Sequence, residues 1–202
     1  MLGEPKRDRK AERRTATRRE IVDAAWQVAR EKGIAQVTLR DVADLVGMRA
    51  PSLYTHFASK HAIYDAMFGD AWTQFREAEK VAEPGVPPGD RAALRYYARF
   101  YFDFAVAFPA RHQLMNRSVI PGFEPGPDAY APSVAALESF VSRMAGHGIR
   151  RTEDVDLFIA LVGGLADAQL ANDPGGERYA RLLDRAVDMY ADSLGIHDGS
   201  GS

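Results

Sequence analysis

The sequence predicts an all-α fold of about nine helices, an N-terminal three-helix unit containing a helix-turn-helix followed by a larger helical body. Three observations predict it. Apolar residues recur at three- and four-residue spacing through most of the chain, and no stretch alternates as a half-buried strand would. Two short periodic segments meet at a Gly-containing turn near Gly47. The run Glu83-Pro84-Gly85-Val86-Pro87-Pro88-Gly89 cannot continue a helix and marks a boundary.

Residues 1–14 carry Lys6, Arg7, Arg9, Lys10, Arg13 and Arg14 with no apolar face to bury, and read as a mobile basic arm. From about Thr15 to Lys32, Ile21, Val22, Ala25, Val28 and Ala29 give an amphipathic helix that Gly33 stops. Thr38 is placed as an N-cap with Asp41 three residues on, and Leu39, Val42, Ala43 and Val46 supply a short inner face that ends at Gly47. Pro51 then suits the first turn of another helix, followed by Leu53, Tyr54 and Phe57.

Ser59 reads as the next N-cap, and the helix after it runs to about Val81 with Ile63, Met67, Phe68, Ala71, Trp72 and Phe75 along one side. Beyond the boundary the spacing gives helices at roughly 90 to 107, 109 to 117, 132 to 146, 153 to 172 and 175 to 194. The Pro- and Gly-rich stretch from Val119 to Pro132 is expected as the longest irregular connection. The end, Asp198 to Ser202, reads as a disordered tail.

At 202 residues there is room for one sizeable domain or two small ones. No run approaches the roughly 18 apolar residues of a membrane span, and the first twenty residues are charged where a secretory signal is apolar, so the expected location is cytoplasmic. The absence of cysteine excludes disulfides, thiolate catalysis and Cys-based zinc sites. A net charge of −2 hides an asymmetry: residues 1–60 hold 13 Lys/Arg against 8 Asp/Glu, and the remainder 13 against 20. A basic front on an acidic body points to a polyanion that meets one end of the molecule.

The informative segment runs from Thr38 to Lys60. Its short helix with small apolar residues, the turn at Gly47, the run Leu53-Tyr54-Thr55-His56-Phe57 and the start Ser59-Lys60 closely resemble the DNA-binding signature of the TetR family of transcriptional regulators, and the likeness extends back through Ile21, Ala24 and Ala25. The resemblance implies a helix-turn-helix DNA-binding domain at 15–60, a connecting helix at 61–82, and a ligand-binding and dimerisation domain at 90–195. It implies a homodimer on palindromic operator DNA, most commonly a repressor, released by a small-molecule effector. Arg49 and Pro51 depart from the commoner residues at their positions and match a minority of members similar to the tetracycline repressors.

The residues argue the same way. Leu53 and Phe57 are four apart and face inward, which turns Ala50, Ser52, Tyr54, Thr55 and His56 toward solvent or a groove. Short polar groups and hydrogen-bonding rings suit a major groove. Arg49 is the candidate for a direct base contact, since an arginine bonds guanine O6 and N7 together; a phosphate contact is the equal alternative. Tyr54 and His56 match positions that touch the DNA backbone, with a buried ring as the competing reading for Tyr54. Lys60 falls in a first helical turn, where the dipole disfavours a cation by about 0.3–1 kcal/mol and favours a phosphate between them. Thr38 is placed to donate to a second phosphate.

Residues 94 to 108 hold more aromatic surface than one face of a small core needs. Two readings stand: ordinary core, or the wall of an apolar cavity formed by Tyr97, Tyr101, Phe104 and Phe108 and completed by Leu114, Met115, Phe140 and Met144. Arg111, His112, Asn116 and Arg117 are either its polar contacts or surface residues. The effector expected from such a lining is apolar or aromatic, a fatty acyl derivative included.

The helix at 153–172 is apolar nearly all round and must be covered on two sides. Leu161, Gly164, Leu165 and Ala168, with Leu183, Val187 and Tyr190 of the last helix, are the expected dimer face, and the mid-helix Gly163 and Gly164 point to a close helix crossing.

No metal-spaced cluster, phosphate-cradling Gly loop or nucleophile elbow is present, and the five histidines are scattered, so neither catalysis nor a cofactor is expected. The alternatives kept open are an activator of the same family, and more remotely a helical enzyme or a non-specific DNA-binding protein.

Overall fold

The computed structural model describes residues 9–116 and 119–197. Among these there are nine α-helices and no strand. The head comprises α1 (Arg9–Lys32), a 3₁₀ turn at Ile34–Gln36, α2 (Leu39–Val46) and α3 (Ala50–Leu53). The long α4 (Lys60–Ala82) leaves it, and the body is built from α5 (Asp90–Ala107), α6 (Pro109–Asn116), α7 (Pro127–Gly146), α8 (Thr152–Asn172) and α9 (Leu183–Ser193).

Two apolar cores hold these helices. The first joins α1, α2 and α3 through Ile21, Val28, Val42, Leu53 and Phe57 and continues into α4 and α6 through Met67 and Leu114. The second fills the body with Leu94, Phe102, Met144, Phe158, Val162 and Leu183 from α5, α7, α8 and α9. Because α4 and α6 contribute to the core of the head, head and body share a packed seam. Polar ties reinforce it: Tyr64, buried on α4, donates its hydroxyl to the Ile34 carbonyl at 3.0 Å. Across the body, Arg95 of α5 meets Asp188 of α9 at 2.6 Å.

Four elements differ from the sequence reading. Helix α1 begins at Arg9, so residues 9–14 of the expected mobile arm are helical; the rest of that arm, residues 1–8, lies outside the described residues, as do Arg117 and the tail from Asp198. The reading helix expected over 51–57 is one α-turn, continued by bonds such as Thr55 N–H to the Ser52 carbonyl (3.2 Å) and His56 N–H to the Leu53 carbonyl (2.9 Å).

Helix α7 starts at Pro127, five residues before the expected boundary, and contains Pro132. Tertiary packing sets that start. Asp65 of α4 accepts the Gly126 N–H at 2.6 Å, Tyr130 stacks on Phe68, and Gly69 lets Ala129 approach so closely that an added Cβ would meet its Cα at 3.3 Å. Pro127 costs little at the first helical position, where the N–H groups have no intrahelical acceptor, whereas Pro132 lies inside the helix and removes one i→i−4 bond.

The last helix is shorter than expected. Residues 175–182 form turns around Gln169, whose buried side chain accepts the Tyr179 N–H at 2.9 Å and donates to the Gly176 carbonyl at 3.1 Å. Gly175, in the left-handed region (φ 78°), keeps the chain out of a helix at the expected start.

Candidate functional site

The head displays a polar surface over a closed core. Thr38 caps α2 by accepting the Asp41 N–H at 3.1 Å, and its hydroxyl donates to the Asp41 carboxylate at 2.7 Å. Lys32 of α1 meets the same carboxylate at 2.7 Å. These two hydrogen bonds, the lysine first, hold the Asp41 carboxyl below its ordinary range. Gly47 then closes α2 in the left-handed region (φ 73°), which glycine adopts without strain, and sends the chain into α3.

Arg49 is the N-cap of α3 and is exposed, as are Pro51, Ser52 and Thr55. Tyr54 is 57% exposed, which excludes the buried-ring alternative. Ala50 and His56 are half-buried. Beneath them Leu53 and Phe57 are buried, and Arg18 of α1 lies over the Phe57 ring at 4.0 Å while donating to the His56 carbonyl. The turn is therefore pinned from below and open above. Ser59 caps α4 by accepting the Ala62 N–H at 3.1 Å, and Lys60 sits in the first turn with its ammonium 5.2 Å from the Tyr64 ring. Thr38, Arg49, Ser52, Tyr54, Thr55 and Lys60 thus lie on the α2–α4 segment of one small unit.

A second candidate site is a cavity of about 130 Å³ in the body. Trp72, Phe75 and Glu79 of α4 form one wall, and Tyr97, Phe100 and Tyr101 of α5 another. Phe140 and Arg143 of α7, Phe158 and Val162 of α8, and Asn116 of α6 complete it. Glu79 and Arg143 pair at its edge, and Arg143 also lies over the Tyr97 ring at 5.6 Å. Burial pushes the Glu79 carboxyl up, with Arg143 opposing the shift. Burial likewise raises the Tyr101 hydroxyl to about 12, so it remains a donor at any physiological pH.

Of the eight residues expected to line a ligand cavity, Tyr97, Tyr101 and Phe140 lie on the wall of this one. Phe104 and Phe108 instead lie under the Arg111 guanidinium, at 3.6 and 4.8 Å. Half-burial of that guanidinium lowers its pKa to about 10. Leu114 and Met115 belong to the core shared with the head, and Met144 to the core of the body. Trp72 and Phe75, which the sequence places on the apolar side of α4, also line the cavity, as does Phe158 of α8; periodicity does not distinguish a wall from a packed core.

On the outer side of α8, Leu157, Ala160 and Gly164 are exposed and Leu161, Leu165 and Ala168 half-exposed. Leu182, the N-cap of α9, and Met189 on α9 are likewise exposed. Leu183, Val187 and Tyr190, expected on a dimer face, are buried within the protomer's own core, with the Tyr190 hydroxyl donating to the Asp154 carbonyl at 2.8 Å. A Cβ at Gly163 or Gly164 would meet nothing within 4 Å, so no crossing inside the protomer accounts for these glycines.

No group of three or more potential metal ligands occurs among the described residues, and no described helix is long and apolar enough to cross a membrane.

Residues 21–67 match the family model described as bacterial regulatory proteins, tetR family. The HTH-type transcriptional repressor KstR2 of Rhodococcus jostii (strain RHA1) is 34% identical over 68 residues, 32% of this chain, and the match spans about a third (33%) of that relative's length. The tetracycline repressor protein class A from transposon 1721 of Escherichia coli is 23% identical over 182 residues, covering 84% of this chain and 79% of that protein. The fold is similar to that of the transcriptional regulator FadR from Bacillus subtilis, solved in complex with stearoyl-CoA, with a TM-score of 0.60 at 14% identity over 89% of this chain and 99% of the other. The match falls on the capped, exposed helix-turn-helix built above: residues 21–67 form a domain of the tetR-family type, and the chain is similar to transcriptional regulators of that family.

Proposed function

We propose that the protein is a dimeric, effector-released repressor of a near-palindromic operator. The observation that carries this reading is the exposed run from Arg49 to Thr55, pinned from beneath by Leu53, Phe57 and Arg18. An arginine at the start of a turn is suited to guanine O6 and N7, and Tyr54 and Thr55 carry hydroxyls for phosphate or base edges. Lys60 with the N–H groups of the first turn of α4 suits a phosphate.

Two copies supply the spacing that a duplex demands, since reading heads about 34 Å apart meet successive major grooves. The outward apolar strip of α8 and α9, with Leu157, Leu161, Gly164, Ala168 and Met189, is the proposed dimer face. Such a strip is costly to leave in water, at roughly 25 cal/mol per Å² of apolar area.

The cavity is the proposed effector site, and its ring-lined wall favours an apolar or aromatic molecule. At about 130 Å³ it is close in size to an engineered cavity of about 150 Å³ that takes benzene, which suits a compact ring compound. A chain as long as that of the stearoyl-CoA bound by FadR is less well matched. Trp72, Phe75 and Glu79 sit on α4, so an occupant bears on the helix that enters the head.

Selection of bound genomic fragments by the full chain tests the reading. A small set of inverted-repeat sites retained at moderate salt against excess random DNA is expected. Failure to retain any site, or retention unaffected by joint substitution of Arg49, Tyr54 and Lys60, overturns it.

A further inference from the structure

A line of polar groups runs from the cavity through α6 to α8. Tyr101 and Asn116 both line the cavity, and the Asn116 amide lies on the side of the Tyr101 hydroxyl oxygen, where it opposes the upward shift that burial imposes. The Asn116 amide nitrogen is 3.2 Å from His112 Nδ1, and His112 Nε2 is 3.0 Å from an Asp167 carboxylate oxygen. One assignment of protons satisfies every bond. The Asn116 amide directs one hydrogen toward the Tyr101 oxygen and the other to Nδ1 and the carbonyl oxygen of His112, His112 donates from Nε2 to Asp167, and the Tyr101 hydroxyl proton is left to the cavity. His112 is only 4% exposed, and the Tyr101 ring meets it edge-on with centroids 6.2 Å apart, so the imidazole has no room to turn freely. The three groups at the cavity end are on α5 and α6, and the acceptor is on α8, one residue before Ala168 of the outward strip.

The same cavity carries donors in excess. Trp72 Nε1 and Arg143 Nε, both on lining residues, are buried without a hydrogen-bond partner among the described residues. A buried unsatisfied donor costs roughly 1–3 kcal/mol, which an incoming acceptor relieves. A purely apolar guest leaves that cost in place, and an anion must compete with Glu79 for Arg143.

We infer that Tyr101 and Asn116 are the polar recognition point for a compact ring effector with a hydrogen-bond-accepting oxygen, and that His112 relays its arrival to Asp167 on α8. The inference rests on the cavity being the effector site. When a ligand oxygen accepts the Tyr101 hydroxyl, the Tyr101 oxygen becomes the stronger acceptor, draws the Asn116 amide away from His112 Nδ1, and the hold of α6 on α8 changes. Because α6 also packs in the core shared with α1 and α4, that change reaches the head as well as the outward face of α8.

The test compares 1-indanone with indane, two probes of one shape that differ by a carbonyl oxygen, on the full chain. Calorimetry is expected to give binding about tenfold tighter for 1-indanone, a preference that falls below about threefold in Tyr101→Phe. In ¹⁵N spectra of the imidazole, assigned by its loss in His112→Gln, 1-indanone shifts the His112 nitrogens and indane does not. Asp167→Asn is expected to bind 1-indanone as the parent does while losing most of its effect on operator retention.

Equal binding of the two probes, with both releasing operator, leaves the effector site standing and overturns this inference. Tighter binding of 1-indanone without any change at His112 overturns the relay. If neither probe binds at millimolar concentration, the effector assignment of the cavity falls and the inference with it.

Discussion

The indole N–H of Trp26 donates to Asp70 Oδ2 across 2.9 Å, joining α1 of the head to the middle of α4. Gln74 donates to the same oxygen at 2.6 Å, so one carboxylate serves both the head and the helix that carries the cavity wall. Asp70→Ala removes the acceptor and leaves a nearly buried indole N–H unpaired. The expected result is a loss of about 1–3 kcal/mol of stability in urea unfolding, with weaker operator retention. Unchanged stability and retention would show that this bond does not couple head to helix.

The contacts proposed for DNA separate by chemistry. Lys60→Gln should weaken binding to all duplexes alike and reduce the salt slope of log K by about 1, as expected for one phosphate contact. Arg49→Ala, if the residue reads guanine, should cost about 1–3 kcal/mol on the operator and relax the preference at one base pair in each half-site. A loss from Arg49→Ala that is uniform across sequences would assign this arginine to phosphate instead.

Asp41 gives the head an acid limit. Its carboxyl is held below the ordinary range, chiefly by the hydrogen bond from Lys32 and then by that from Thr38. A lowered carboxyl stabilises the fold above its unfolded-state pKa, and the contribution disappears as pH falls through the folded value. The stability difference between the parent and Asp41→Asn should therefore be full above about pH 4 and close at lower pH. A difference that persists at pH 2 would locate the effect elsewhere.

The outer and inner faces of the last two helices should respond differently. Leu157, 54% exposed on α8, becomes charged in Leu157→Arg; light scattering should then report a monomer whose circular dichroism is unchanged. Leu183, fully buried in the body, should cost about 2–5 kcal/mol in Leu183→Ala, read as a lowered thermal midpoint. A Leu157→Arg protein that keeps the parent's mass in solution rules this face out.

Much of the head was legible because its signals are local. Thr38 with Asp41, Gly47, Pro51 and Ser59 each act within one turn of the chain, and the structure places them in the capping and turn positions that their chemistry implies. Leu53 and Phe57 were recognisable as inward-facing from spacing alone. In the body the same reasoning found the helices but misjudged some faces. Leu183, Val187 and Tyr190 carry the same periodic signal whether the helix packs on its own protomer or on a copy.

The order of amino acids by itself determined an all-α chain, a basic front on an acidic rear, and the capped helix-turn-helix, since charge, periodicity and capping are properties of neighbouring residues. Tertiary structure alone decided where α7 begins, which aromatic rings enclose space, and that His112 bridges Asn116 and Asp167. These outcomes depend on groups brought together from distant parts of the chain, such as Asp65 with Gly126 or Glu79 with Arg143. A ring's spacing along one helix states that it is buried, and only the helix opposite settles whether it meets another side chain or a void.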